Sequence, residues 1–227
     1  MNGKLIKVTV TGITQATPRI KIFKLTHNYP SYHFIPGQWI DLHAPIEGKN
    51  IGGYTIISSP EDKNFIELAI RESDFHPVTQ FMHKVVQLNT KLFITEGQGK
   101  FFLAHDTSPV IFIAGGIGIT PIISMMRSLA NSPRSFELFY SASLEKDFLL
   151  INELRDHAHF FVTKEKCSLE NAFYNERITT NHIKKSVVNY KEAQYYICGP
   201  KQMIDSFVLD LKSMGISKEQ LFYEKWW

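Results

Sequence analysis

The stretch AGGIGITPI, Ala114 to Ile122, decides how the rest of the chain is read. From Gly116 to Pro121 it runs G-x-G-x-x-P, a dinucleotide fingerprint with proline in place of the third glycine. It follows the strand-like run VIFIA and precedes the helix-like run IISMMRSLA. In a parallel α/β sheet such a turn lies at the carboxyl edge, where ligands bind. Gly115, Gly116 and Gly118 admit positive φ and let amide N–H groups approach a phosphate. Thr120 suits an N-cap and Pro121 the first helical position, so the proline is expected to start the helix and to leave the turn intact. The second strand ends in YSAS, with no acid at its tip for a ribose diol. On these residues alone, tight packing and phosphate binding both account for the turn.

Strands and helices alternate from here to the C-terminus. FELFYSA, FFVTK, YYIC and LFYE read as strands, with helices over FLLINELRDHA, TNHIKKSVV and KQMIDSFVLDLKSMG. That spacing predicts a parallel sheet wrapped by helices. Upstream the rhythm changes. LIKVTVTGIT, RIKIFKLTH, QWIDLHAP, YTIISS, FIELAIRE and KLFITEGQGKF are short β-branched or aromatic runs broken by Pro, Gly and Asn. One helix interrupts them after Pro77, with Val78, Phe81, Met82 and Val85 on one face. The expected fold class is β-barrel plus α/β: a six-stranded antiparallel barrel over 1–104, followed by a parallel-sheet domain over 105–227.

Composition excludes several classes. Hydrophobic residues make up 44% and charged residues 21% of 227, which is ordinary globular usage. A net charge of +3 without a Lys/Arg block gives nucleic-acid binding no electrostatic support. Two cysteines, Cys167 and Cys198, are too few for a four-ligand zinc or iron–sulfur site. The histidines show no H-x-x-x-H or H-E-x-x-H pattern, so no metal site is expected. No G-x-S-x-G elbow is present either. The N-terminus enters β-alternation directly, and the most apolar run is too short and glycine-rich to span a bilayer. The expectation is a cytoplasmic protein without stable membrane insertion, monomeric or weakly dimeric.

Further runs carry candidate chemistry. In GGYTIISSP, from Gly52, an aromatic followed by hydroxyls suits stacking on a flat ring and bonding its heteroatoms; an ordinary half-buried strand is the alternative. In HPVTQFMH, Thr79 suits an N-cap that leaves N–H groups for a pyrophosphate, or simple capping. In YYICGPKQM, Cys198 ends a buried strand, where a structural thiol is the default. The terminal LFYEKWW either covers a core edge or caps an aromatic ligand.

In this order the motifs resemble the ferredoxin–NADP reductase superfamily of flavoproteins, over nearly the whole chain. Gly37-Gln38-Trp39 precedes Y-T-x-x-S-S-P, followed by ELAIR, T-Q-F-M, G-G-x-G-I-T-P, I-C-G-P and a near-terminal Tyr-Glu. The ending EKWW is most similar to the branch called oxidoreductase NAD-binding-domain-containing proteins. The resemblance implies a flavin-binding barrel and an NAD(P)-binding second domain. It puts Tyr54 on the flavin face and Thr55 at its N5, with Ile56 and Ser58 in the same strand. Ile70 and Arg71 would run past the phosphate and adenine side, and Thr79 would open the pyrophosphate helix. Gly115, Gly116, Gly118, Ile119, Thr120 and Pro121 would form the dinucleotide loop. Cys198, Gly199, Pro200 and Glu224 would border the nicotinamide slot, with Trp226 over the flavin and Trp227 as an extra residue.

One departure stands out. The family's arginine two positions before the tyrosine is Gly52 here, a loss expected to weaken flavin binding by about 1.5–3 kcal/mol. The implied cofactors are FAD, with FMN as the smaller alternative, and NADH or NADPH. Ser141 and Ser143 are uncharged, whereas Lys164 and Arg177 follow the third strand and suit a 2′-phosphate; the balance leans to NADH. The implied activity is that of an NAD(P)H-dependent flavoprotein reductase. Hydride passes from nicotinamide to flavin N5, and electrons then go to a separate acceptor, a small protein or a small molecule. Thr55, Cys198 and Glu224 are the expected residues at the reacting centre. The alternative on the same fold is a non-catalytic flavin- or nucleotide-binding partner or regulatory subunit.

Overall fold

The structure is a computed structural model that describes residues 5–166 and 173–225. Cys167, Trp226 and Trp227 lie outside the described residues. The chain divides into two compact units. One runs to Leu103 and takes in Ile123–Ala130; the other comprises Ala104–Ile122 and the chain from Asn131 onward.

The first unit contains β1 (Ile6–Thr17), β2 (Ile20–His27), β3 (Trp39–His43), β4 (Ile51–Thr55), β5 (Phe65–Arg71), α1 (Pro77–Lys84) and β6 (Lys91–Ile94). Its sheet is antiparallel, ordered β4-β3-β6-β1-β2-β5. An isolated antiparallel bridge between Ile56 and Leu68 brings the chain leaving β4 back against β5, so the sheet closes into a barrel. Alternation sets the register: Ile6, Val8 and Val10 of β1 face inward while Lys7 and Thr11 face out. Phe23, Leu25, Ile40, Leu42 and Leu68 fill the interior with no exposure. Helix α1 plugs one side with Val78 and Met82, and Val85, expected on that face, is instead 59% exposed just past its end.

β4 differs from the expected YTIISS strand. It begins three residues earlier, at Ile51, and stops at Thr55. Ile56, Ile57 and Ser58 are fully buried but leave the ladder.

The second unit contains β7 (Val110–Gly115), β8 (Phe136–Ala142), α3 (Ile151–Leu154), β9 (Ala158–Val162), β10 (Phe173–Tyr174), α4 (Thr180–Ser186), β11 (Gln194–Gly199), α5 (Lys201–Ser213) and β12 (Leu221–Lys225). Helix α2 (Ile119–Leu129) gives its first residues to this unit and the rest to the first. All ladders are parallel, in the order β10-β9-β8-β7-β11-β12. Every residue of β7 and of β11 is buried, as central parallel strands covered on both faces require. Ile183, Ile204, Phe207 and Leu211 of α4 and α5 cover one face.

Two elements here depart from what the sequence pattern predicts. FLLINELRDHA forms only the one-turn α3 and a following 3₁₀ turn. Phe148 stays extended and lodges edge-on against Tyr140 and Phe160, each at 4.9 Å between ring centres. Leu150 then turns with φ of 54°. The short edge strand β10 has no counterpart among the predicted strands.

A buried arginine secures the start of the parallel sheet. Arg134 donates from Nε to Ser108 O (2.6 Å), from Nη1 to Ala104 O (3.1 Å) and from Nη2 to Gln194 Oε1 (3.0 Å). Asp106 sits 3.8 Å away, and the Tyr196 hydroxyl accepts from Ala104 N–H at 2.7 Å. Among the described residues no helix is long and apolar enough to cross a membrane. Arg134→Met removes the charged donor shared by Ser108 O, Ala104 O and Gln194 Oε1, of which only Ser108 O has no second donor among the described residues, and is expected to cost about 2 kcal/mol in urea unfolding. Arg134→Lys should recover little of this, because one ammonium cannot reach all three.

Candidate functional site

In the first unit the candidate residues converge where β4 ends beside the start of α1. Tyr54 pairs with Ile40 and Thr55 with Trp39 across the β3–β4 ladder. The Tyr54 hydroxyl lies 2.9 Å from Thr79 Oγ1. Burial pushes the phenol up to about 12, against a smaller opposing effect of the Thr79 bond, so it stays neutral. Thr79 does not cap α1, contrary to the expectation from sequence. Pro77 takes the first helical position, where a missing N–H costs nothing, and this moves the cap back to His76. His76 Nδ1 accepts the Thr79 N–H at 3.4 Å and lies 3.3 Å from its hydroxyl. Burial, and then the charge of Lys49, lower the His76 pKa, which keeps the imidazole a neutral acceptor.

Gly52 explains how Tyr54 reaches Thr79. A Cβ at Gly52 would stand 2.8 Å from Tyr54 Cε2 and 2.9 Å from its hydroxyl. The phenol ring thus lies directly over the glycine, in the space an arginine stem would take. What remains around Tyr54 is the Thr79 hydroxyl, and the His76 imidazole with the charge of Lys49 beside it. This donor set fits the heteroatoms and phosphates of a flavin without the strand arginine.

Ile56 and Ser58 are buried beyond the strand end, and Ser58 Oγ accepts the Glu67 N–H at 3.1 Å. Ile70 has its side chain in the core and its carbonyl 2.9 Å from His83 Nε2; Arg71, the last residue of β5, is exposed.

In the second unit, the ends of adjacent strands β7 and β11 meet backbone to backbone. A Cβ on Gly118 would lie 2.5 Å from the Cys198 carbonyl oxygen and 2.7 Å from Gly199 N. One on Gly115 would lie 2.7 Å from Pro200 Cδ, and one on Gly199 would lie 3.0 Å from Gly115 Cα. Gly116 turns between them with φ of 56°, which an L side chain adopts only with strain. Gly115, Gly118, Cys198, Gly199 and Pro200 are therefore brought together, with Ser141 paired to Gly115 and Glu224 to Cys198. The join has no room for a Cβ, which leaves main-chain amides at the carboxyl edge and fits a dinucleotide phosphate.

The helical start again differs from expectation. A 3₁₀ turn spans Gly116–Gly118 and α2 opens at Ile119, which puts Thr120 and Pro121 inside the helix. Pro121 cannot donate to Ile117 O, four residues back, and the Thr120 hydroxyl does so instead at 3.0 Å. Thr120 is thus a substitute donor for a proline and not a cap.

The turn that follows β8 meets an acid that the sequence pattern does not reveal. The chain leaving β9 folds over it: Thr163 N donates to Ala142 O (3.1 Å) and Lys164 N to Ser143 O (3.0 Å). Glu165 Oε1 then accepts the Glu145 N–H. The carboxyl end of β8 has no carboxylate, and the chain that follows β9 brings Glu165 to Glu145, three residues past that end. Lys164 and Arg177 are exposed.

Comparison with known proteins agrees with this geometry. Residues 7–102 match the family described as Oxidoreductase FAD-binding domain, and residues 112–208 match Oxidoreductase NAD-binding domain. The chain is 31% identical to "Oxidoreductase NAD-binding domain-containing protein 1" of Homo sapiens, over 96% of this chain and 78% of that protein. It is 26% identical to the carnitine monooxygenase reductase subunit of Escherichia coli strain K12, over 98% of this chain and 68% of the relative. Among solved structures, the FAD/NAD-binding domain of nitric oxide dioxygenase from Vibrio cholerae O1 biovar El Tor superposes with TM-score 0.86 at 17% identity, covering 97% and 98% of the two chains. Phthalate dioxygenase reductase gives 0.83 at 19%, covering 97% and 68%.

The chain is thus a two-domain oxidoreductase with an FAD-binding barrel and an NAD-binding α/β domain. It belongs to the oxidoreductase NAD-binding-domain-containing family, within the ferredoxin–NADP reductase superfamily.

Gly52→Ala forces the Tyr54 ring off its glycine and should cost about 1–3 kcal/mol. Tyr54→Phe, which loses the Thr79 bond, should cost about 1 kcal/mol. Thermal melts of the double variant should show less than the summed loss, because Gly52→Ala has already broken that bond.

Proposed function

We propose that this chain is an FAD-dependent NADH oxidoreductase that delivers electrons to a separate acceptor. The carrying observation is that one chain holds both cofactor-binding domains, each with a cradle that only its glycines permit. When bound, the flavin accepts hydride from reduced nicotinamide and can release the electrons singly or as a pair.

The protein's part is orientation and exclusion of water. Tyr54, held by Thr79, offers an aromatic face of fixed tilt, and Thr55 offers a hydroxyl at the flavin's reacting edge. Thr79, His76 and Lys49 take the phosphate side. The amides of Gly116–Gly118 hold the dinucleotide phosphates, and Cys198 and Glu224 border the nicotinamide. Cys198 is fully buried, and its thiol serves as a small wall of the nicotinamide slot. Relatives named as a reductase subunit and a dioxygenase reductase support an acceptor on another protein.

The preference for NADH is supported by Glu165. A carboxylate at the tip of the second strand accepts hydrogen bonds from a ribose diol and repels a 2′-phosphate. Ser141 and Ser143 offer no opposing charge.

FAD-loaded protein mixed anaerobically with NADH should lose its visible flavin band rapidly, with a lower KM for NADH than for NADPH. A flavin that stays oxidised under NADH would overturn the proposal in favour of a non-catalytic binding subunit. Glu165→Gln should raise KM for NADH roughly tenfold, the effect of one charge-assisted bond. Lys164→Ala should barely alter it. A strong NADPH preference abolished by Lys164→Ala would reverse the coenzyme assignment.

A further inference from the structure

Past Thr55 the chain leaves the sheet, so its peptide groups need other partners. Two N–H groups find them in the barrel: Ile56 N donates to Gln38 O (3.1 Å) and Ile57 N to Glu67 O (2.9 Å). The carbonyls are met by α2. Ser124 Oγ donates to Ser58 O at 3.0 Å, and Arg127 Nη1 donates to Ile57 O at 2.8 Å. Arg127 also reaches Oε2 of Glu67 at 3.3 Å, the residue whose carbonyl accepts the Ile57 N–H. Ser124 and Arg127 are three residues apart and share a helix face.

The placement of Ser124 is unusual for its surroundings. It has no exposure, and neither has Ser58, in a helix whose neighbouring positions are Ile122, Ile123, Met125 and Met126. A hydroxyl buried there is unfavourable unless it is bonded, and this one is bonded to the Ser58 carbonyl. A methyl-bearing side chain would pack as well and would leave that carbonyl without its donor.

We propose that Ser124 and Arg127 are positioning residues for the flavin site. Together they fix the Ile57 and Ser58 carbonyls, two and three residues past Thr55, and thereby hold Thr55 and Tyr54 at one height along the strand. This rests on the flavin-binding role proposed for Tyr54 and Thr55. Neither Ser124 nor Arg127 needs to touch the cofactor, since their effect passes through Ile57 and Ser58.

The test compares wild type, Ser124→Ala and Ser124→Thr, each purified and titrated with FAD, with visible circular dichroism and midpoint potential of the bound flavin as readouts. Ser124→Ala is expected to bind FAD about tenfold more weakly and to show an altered flavin dichroism and potential, because a displaced Thr55 no longer meets the ring in the same way. Ser124→Thr, which keeps the hydroxyl, is expected to restore all three. An alanine variant that melts earlier but matches wild type in affinity, dichroism and potential would overturn the inference and leave Ser124 a purely structural staple. If Ser124→Ala does not fold, Ser124→Cys, of similar volume and weaker as a donor, takes its place: weaker FAD binding with altered dichroism supports the inference, and wild-type values overturn it. Wild type that binds no FAD would overturn the flavin reading itself, an outcome separate from an unaltered alanine variant.

Discussion

The contact on which the nucleotide-binding unit depends is that of one peptide chain against another. At the carboxyl edge of the sheet, Gly118 sits under the carbonyl of Cys198, too close for any side chain. Gly199 is packed in the same way against Gly115. Because the joined strands β7 and β11 lie at the centre of the sheet, the turns that leave them must part or interlock. Glycine lets them interlock, and the result is an edge made of amides. A phosphate needs little else from the protein beyond such donors and a helix start.

The barrel meets a related constraint by opposite means. There the problem is a strand that ends before its polar groups are satisfied. The ladder stops at Thr55, and four of the following peptide groups are met individually: by Gln38, by Glu67, and by the Ser124 and Arg127 side chains of α2. Tyr54 is likewise held from outside its own strand, through Thr79, over a residue without a side chain. The loss of the family's arginine and the tilt of the tyrosine are therefore one structural fact. Gly52 leaves out that charged side chain and in exchange lets the phenol reach the helix.

How much of this is legible in the sequence follows from where each signal resides. β8 has its predicted limits, because a short aromatic-rich run bounded by turn residues suits a buried parallel strand. The βαβ order and the glycine loop are legible for the same reason: local pattern and local chemistry agree there. YTIISS misleads because its β-branched run continues after the ladder ends, and the groups that replace the ladder come from a helix some seventy residues away. FLLINELRDHA has helical periodicity, but Phe148 gains more from two edge-on aromatic contacts than from a helical turn. Thr79 and Thr120 both look like caps, and in both places a neighbouring proline decides the geometry. Glu165 is invisible in the pattern, since its partner Glu145, just past β8, lies twenty residues earlier and only the parallel pairing of β8 with β9 brings them together.

The proposed dinucleotide site rests on glycine-only packing at the sheet edge. A fluorescence titration of NADH into Gly118→Ala, with FAD affinity measured on the same sample, tests this most directly. The added methyl would press on the Cys198 carbonyl and drive the two turns apart. The expected result is a loss of NADH affinity of about tenfold or more with FAD binding intact. NADH bound as tightly by the alanine variant as by wild type would contradict it.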